Sequence, residues 1–196
     1  RSITNIPEDL KKSALQIEVL GEQFMWTVRY PGADGEFGKR NYKLTTPLNS
    51  YGIDYNDKTA WDDVKGDEIV IPVNKPVRFH IMSKDIIHSF YIPDFRVQIN
   101  AVPGMTNYFQ FTPTITTDEM RDKMNDPQYN FVMLCAKICG ESHYNMQKNV
   151  RVVTEAEYKE WLSKQAKFFT EDLQKEFAQA EGETTEKNDR IAASIN

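Results

Sequence analysis

At 196 residues, with 40% hydrophobic and 12% aromatic content, the chain suits one domain plus an appendage, or at most two small domains, and has enough apolar material for an ordinary core. Its formal charge of -5 is unevenly placed: residues 154–196 hold 6 basic and 10 acidic side chains, and the rest is nearly balanced, which excludes a nucleic-acid binder. No run of 18 apolar residues is present, so nothing in the sequence spans a bilayer as a helix.

Residues 1–14 are polar and read as a lead-in. From Leu15 to Val153 the signals are mostly β. Expected strands are Leu15–Leu20, Gln23–Tyr30, Ile69–Val73, Val77–Met82, Ile87–Ile92, Asn107–Thr112, Tyr129–Leu134 and Asn149–Val153, rich in Val, Ile, Phe and Tyr. Pro31-Gly32, Asp34-Gly35 and Pro103-Gly104 mark turns between them. Many short strands so punctuated predict an all-β antiparallel sandwich. Within the polar stretch Pro113–Pro127, Asp118–Met124 is expected as a short helix. Thr154 and Glu157 fit a capping box, and Tyr158, Trp161, Leu162, Phe169, Leu173 and Phe177 follow at helical spacing. That pattern predicts one amphipathic helix over 154–182, then a polar tail over 183–196.

The chemistry concentrates in Cys135-Ala-Lys-Ile-Cys139-Gly-Glu-Ser-His143-Tyr-Asn-Met146. Thiolate, imidazole and thioether are soft or borderline ligands, a set that favours copper over hard cations. His88 lies upstream, so His88, Cys139, His143 and Met146 occur in the order of a blue-copper electron-transfer site. Cys135 is a second thiolate four residues before Cys139, and two thiolates can bridge two coppers. Taken singly, each residue has a plainer reading. Cys135 and Cys139 are then buried thiols, a strained disulfide or half a zinc site, Met146 is a core side chain, and His88 is a satisfied core imidazole. The four residue types in this order favour copper. His80, in Val77-Arg-Phe-His-Ile-Met, reads as structural.

These segments resemble cytochrome oxidase subunit II. Ser83-Lys-Asp-Ile-Ile-His88-Ser-Phe-Tyr-Ile-Pro93 is similar to the family's segment around its first copper histidine, and Ala101-Val-Pro-Gly104 to the turn after it. Cys135–Met146 is similar to its second copper segment, and Gly21-Glu-Gln-Phe-Met-Trp26-Thr-Val-Arg-Tyr-Pro-Gly32 to its aromatic strand. The resemblance covers about residues 15–162 and implies a cupredoxin-like Greek-key β-sandwich. It implies a binuclear copper centre (CuA) bridged by Cys135 and Cys139. One copper adds His88 and Met146, and the other adds His143 and the backbone carbonyl of Lys137. It also implies electron receipt from cytochrome c, soluble or as a tethered domain, and delivery to haem in subunit I. Oxygen reduction and proton pumping belong to that subunit. The implied location is the periplasmic face of a bacterial inner membrane, anchored by transmembrane helices expected before Arg1.

Two positions depart from the family pattern. A glutamate usually stands where Lys137 does. The copper bond there comes from the backbone, so lysine can still supply it. That glutamate's side chain also helps hold Mg²⁺ or Mn²⁺ at the interface with subunit I, and a charged lysine cannot ligate, so no such metal is expected. Phe24 stands where the family often has the tryptophan used for electron entry. Related readings stay open at this point: the copper domain of a nitrous-oxide reductase, a quinol-oxidase subunit II, and a copper carrier without an electron-transfer role. Nitrous-oxide reductases favour Trp-Phe between the cysteines, where this chain has Ala136-Lys-Ile138, and quinol oxidases lack the copper ligands.

Overall fold

In Leu15–Glu22 (β1), Ile17 and Val19 alternate with Glu18, so the branched pair faces one side of the strand and the carboxylate the other. The computed structural model describes residues 6–175 and repeats this two-sided logic across two packed sheets. The strands are Met25–Tyr30 (β2), Val64–Gly66 (β3), Ile69–Pro72 (β4), Val77–Ser83 (β5), His88–Ile92 (β6), Val97–Ala101 (β7), Asn107–Phe111 (β8), Phe131–Cys135 (β9), Gln147–Val153 (β10) and Ala166–Lys167 (β11). One sheet has the order β11-β3-β2-β1-β5-β8 and the other β4-β10-β9-β6-β7. Between them lies the main core, which includes Ile17, Val19, Trp26, Val28, Phe79, Phe90, Phe131, Met133 and Val150. Each fully buried aliphatic or aromatic side chain there contributes about 1.5–3 kcal/mol.

All eight expected strands are present, with ends shifted by one or two residues, and three more appear. Val64–Gly66 and Ala166–Lys167 are too short to show a period. Val97–Ala101 does alternate, with Val97 and Ala101 buried and Gln98 and Asn100 exposed, but it contains little besides that pattern. The antiparallel expectation needs correction, because β1 runs parallel to β5 and β4 runs parallel to β10. In register, Leu15 lies beside Val77 and Gly21 beside Ser83. Which strands become neighbours after a crossover is a tertiary outcome that strand periodicity does not encode.

The expected short helix is Thr117–Met124 (α2), opened by a capping box in which Thr116 Oγ1 accepts from Glu119 N and Glu119 accepts from Thr116 N. The lead-in contains one helical turn, Glu8–Lys12 (α1). The long C-terminal helix is corrected as well. Its start is as expected, with Thr154 capping Glu155–Ser163 (α3), but it stops at Ser163. The chain then pairs as β11 with β3, and Phe168 N donates to Asp63 O at 3.0 Å. The apolar stripe serves two cores: Tyr158, Trp161 and Leu162 pack on the main core, whereas Phe168, Phe169 and Leu173 pack on a second cluster. Residues 171–175 are helical again. Phe177, Gly182 and the expected tail over 183–196 lie outside the described residues.

That second cluster covers the outer face of β1 and β2 and is built by the excursion between β2 and β3, with Tyr51, Ile53, Tyr55 and Ala60. Beneath it lies a buried ionic network. Arg29 donates to Glu18 Oε2 at 3.0 Å, to Gly38 O at 2.9 Å and to Asp63, while Arg40 pairs with Glu18 Oε1 at 3.1 Å. Burial pushes the Asp63 carboxyl up to about 6. Among the described residues, no helix is long and apolar enough to cross a membrane.

Candidate metal centre

Residues far apart in the chain meet at one end of the sandwich. His88 opens β6, Cys135 closes β9, and the loop from Ala136 to Met146 returns to β10. Pairing of β6 with β9 sets Phe90 beside Cys135, which brings the two segments together. The loop is pinned at its base by Cys135 N donating to Met146 O at 3.0 Å and by Ala136 N donating to Ser89 O at 3.0 Å. Residues His143–Asn145 form a single 3₁₀ turn that aims the imidazole back at the sulfurs.

All six residues singled out in the sequence converge. Cys135 Sγ lies 3.9 Å from Cys139 Sγ, 3.9 Å from His88 Nδ1 and 3.2 Å from the Lys137 carbonyl oxygen. Cys139 Sγ lies 3.5 Å from His143 Nδ1 and 3.8 Å from Met146 Sδ. Both thiols are free, and with His88 and Met146 they are buried. His88, Cys135 and Cys139 offer donor atoms within 4.8 Å of one another. The Lys137 side chain is exposed, so the residue presents its carbonyl inward and its ammonium outward.

The donor set is two thiols, two imidazoles, a thioether and a carbonyl, which fits copper. Burial, reinforced by Cys135, pushes the Cys139 thiol up to about 11, so a thiolate-binding metal must displace its proton. His80, expected to be structural, is: its Nε2 lies 2.8 Å from Gln16 Oε1, its ring meets Phe37 and Tyr108 edge-on, and burial lowers its pKa to about 4.

Several supporting residues escaped the sequence reading. Asp85 accepts from His88 Nε2 at 2.8 Å, Gln23 N at 2.7 Å and Ile86 N at 2.6 Å. Burial acts to raise the pKa of that carboxyl, but these bonds outweigh it and hold the group below its ordinary range. With Nε2–H bound there, the His88 Nδ1 lone pair is free to face Cys135. Its position three residues before a candidate ligand was the available signal. Trp26 Nε1 donates to Met146 O at 3.3 Å, and its ring meets the His88 ring edge-on. Gly21 makes this approach possible, since a Cβ there would fall 2.9 Å from Trp26 and 3.0 Å from His88.

Residues 15–153 match the family model for the cytochrome c oxidase subunit II periplasmic domain. The chain is 35% identical over 157 residues to an alternative cytochrome c oxidase subunit 2 of Bradyrhizobium diazoefficiens, covering 79% of this chain and 52% of that protein. It is 29% identical over 174 residues to a probable cytochrome c oxidase subunit 2 of Streptomyces avermitilis, covering 80% and 50%. The chain thus spans about half the length of the curated relatives it matches. Among solved structures, it is similar to the periplasmic domain of subunit II of cytochrome oxidase (CoxB) of Bradyrhizobium japonicum, with TM-score 0.54 and 28% identity, covering 81% of this chain and 95% of that one. It is also similar to a subunit II captured as a mixed disulfide with a thioredoxin-like protein, with TM-score 0.51 and 26% identity, covering 82% and 93%. The cupredoxin-like sandwich expected from the sequence is therefore the fold found, and the chain belongs to the cytochrome c oxidase subunit II family, whose periplasmic domain it carries.

Proposed function

We propose that this chain holds a binuclear copper centre and serves as the electron-transfer domain of a respiratory cytochrome c oxidase. Cys135 and Cys139 would supply the thiolates that both metals need, His88 and Met146 would supply the further ligands of one, and His143 and the Lys137 carbonyl those of the other. One observation carries the reading. Each thiol has its own imidazole, His88 Nδ1 for Cys135 and His143 Nδ1 for Cys139, with the thiols 3.9 Å apart. A mononuclear site needs only one such thiol, whereas this arrangement pairs two thiols with two imidazoles.

A bound copper pair supplies a one-electron relay whose charge is shared over two metals and two sulfurs. The chain's own residues hold that geometry in advance. Asp85 fixes the His88 ring, the Cys135 N–H and Trp26 both hold Met146 O, and the buried sulfurs are kept from water. Preorganised ligands leave little to rearrange when the charge changes, which favours fast transfer. Electrons enter from cytochrome c or a tethered cytochrome domain and leave to haem in subunit I. The domain stands on the periplasmic face of a bacterial inner membrane. The mixed disulfide formed by the relative fits a need shared here: both thiols must be reduced before copper enters.

Metal content with magnetic resonance tests the reading. Two coppers per chain and a seven-line mixed-valence pattern are expected. One copper with a four-line pattern, one zinc, or no metal after copper loading overturns it. Cys135→Ser must abolish the mixed-valence signature, and an unchanged spectrum refutes bridging.

A further inference from the structure

The ligand segments, Ser83–His88 and Cys135–Met146, both lead into strands of one sheet, but the residue that ties them together comes from the other. Gln23 sits in the turn between β1 and β2. Its backbone N–H donates to Asp85 Oδ2 at 2.7 Å, and Asp85 Oδ1 accepts from His88 Nε2 at 2.8 Å. Its side-chain Nε2 donates to the Cys139 carbonyl at 2.6 Å. One residue therefore reaches an imidazole on one segment and a thiol-bearing peptide on the other. The carbonyl it holds precedes Gly140, which has a φ of +137°. At Gly140 a Cβ would fall 2.6 Å from the Phe24 ring and 3.1 Å from Gln23 Nε2. The peptide at Cys139 is thus clamped from one side by the aromatic ring and from its oxygen by the amide.

We propose that Gln23 is a positioning residue for the metal centre, and that its side-chain amide tunes the centre's reduction potential through the Cys139 peptide. The inference rests on the copper reading above. A donor on the carbonyl draws electron density from the peptide attached to the Cys139 thiolate. It makes that sulfur a weaker donor to the metal, and so stabilises the reduced, more electron-rich state. It also fixes the loop that aims Cys139 Sγ at His143 Nδ1 and Met146 Sδ. Removing the donor lowers the potential and lets the carbonyl turn to water.

Gln23 itself is exposed, so its replacement leaves the core intact. Two variants separate hydrogen bonding from shape. Gln23→Leu removes the donor. Gln23→Glu keeps the shape of the side chain but sets an acceptor against the carbonyl. Both keep the backbone N–H that binds Asp85. In the copper-loaded full chain, both variants are expected to shift the equilibrium between oxidation states by about threefold to tenfold toward the oxidised form, tenfold being 59 mV for one electron. Both are also expected to alter the optical bands, with copper content unchanged. In the metal-free chain, the ¹³C shift of the Cys139 carbonyl is expected to move in both variants, a readout independent of copper. An unchanged potential in both variants overturns the proposal, as does a change confined to Gln23→Leu. Failure of the wild-type chain to hold two coppers defeats the function reading instead, and the carbonyl shift still tests the clamp.

Discussion

Replacing Asp85 with alanine strips three donors of their acceptor, and the cost falls unequally. Gln23 and Ile86 are exposed, so water can take over their backbone N–H groups. His88 is fully buried, and its Nε2–H then has no acceptor. A buried donor left unsatisfied costs about 1–3 kcal/mol. Outer partners of metal-binding histidines are worth about tenfold to a hundredfold in affinity, or about 1.4–2.7 kcal/mol, the same range reached independently. Copper titration against a competing chelator is therefore expected to show Asp85→Ala binding about tenfold to a hundredfold more weakly. Asp85→Asn, whose amide oxygen can still accept from His88, should recover most of that loss. Affinity within about twofold of wild type for Asp85→Ala, with an unchanged spectrum, would refute the reasoning and mean that water replaces the carboxylate without cost.

Arg29→Met leaves Asp63 and one oxygen of Glu18 buried without their guanidinium and should cost about 3–5 kcal/mol by urea unfolding; a loss under about 1 kcal/mol would mean that the carboxylates reach water. Asp63 carries a pH signature. Because burial raises its carboxyl from 3.8 to about 6, the folded chain takes up the proton at higher pH than the unfolded chain. Its contribution therefore favours folding below about pH 4 and is lost as pH rises through about 6, by up to about 3 kcal/mol. The stability difference between wild type and Asp63→Asn, measured at pH 4 and pH 7, should fall by that order; a flat difference counts against it. Gly140→Ala combines a φ suited to glycine with a clash against Phe24, at about 1–3 kcal/mol for each. Its melting temperature should drop, and adding Phe24→Ala should restore the clash component alone.

The ligands were legible because their chemistry is packed into 12 residues of chain, Cys135–Met146, with His88 upstream in the segment that carries the family resemblance. The strands were legible because alternation reports burial in many of them, as in β5, where Val77, Phe79 and Ile81 are buried and Arg78 and His80 are half-buried. What stayed hidden depends on contacts between distant segments. The helix stop after Ser163 is such a case. Phe168 and Phe169 keep helical spacing with Trp161, yet they are drawn into a pocket formed by Tyr51, Tyr55 and Trp61 on an excursion over a hundred residues earlier. Asp85 and Gln23 were hidden for the same reason, since an ordinary turn aspartate and an exposed glutamine acquire roles only when the sandwich closes.

That division also explains why the departures at Lys137 and Phe24 leave the site intact. Lys137 contributes a backbone carbonyl 3.2 Å from Cys135 Sγ, an atom every residue type supplies, while its side chain points to solvent. Phe24 contributes a ring face against Gly140, which the aromatic class supplies without an indole N–H. The parts that organise the sulfurs are strand ends, backbone groups and residues from the opposite sheet: Gly21, Gln23 and Trp26. The side chains of Lys137 and Ile138 face outward. The buried sulfurs and the exposed side chains are therefore physically separate on the same short loop. A change of side chain at 137 alters the outward charge without moving the carbonyl beneath it.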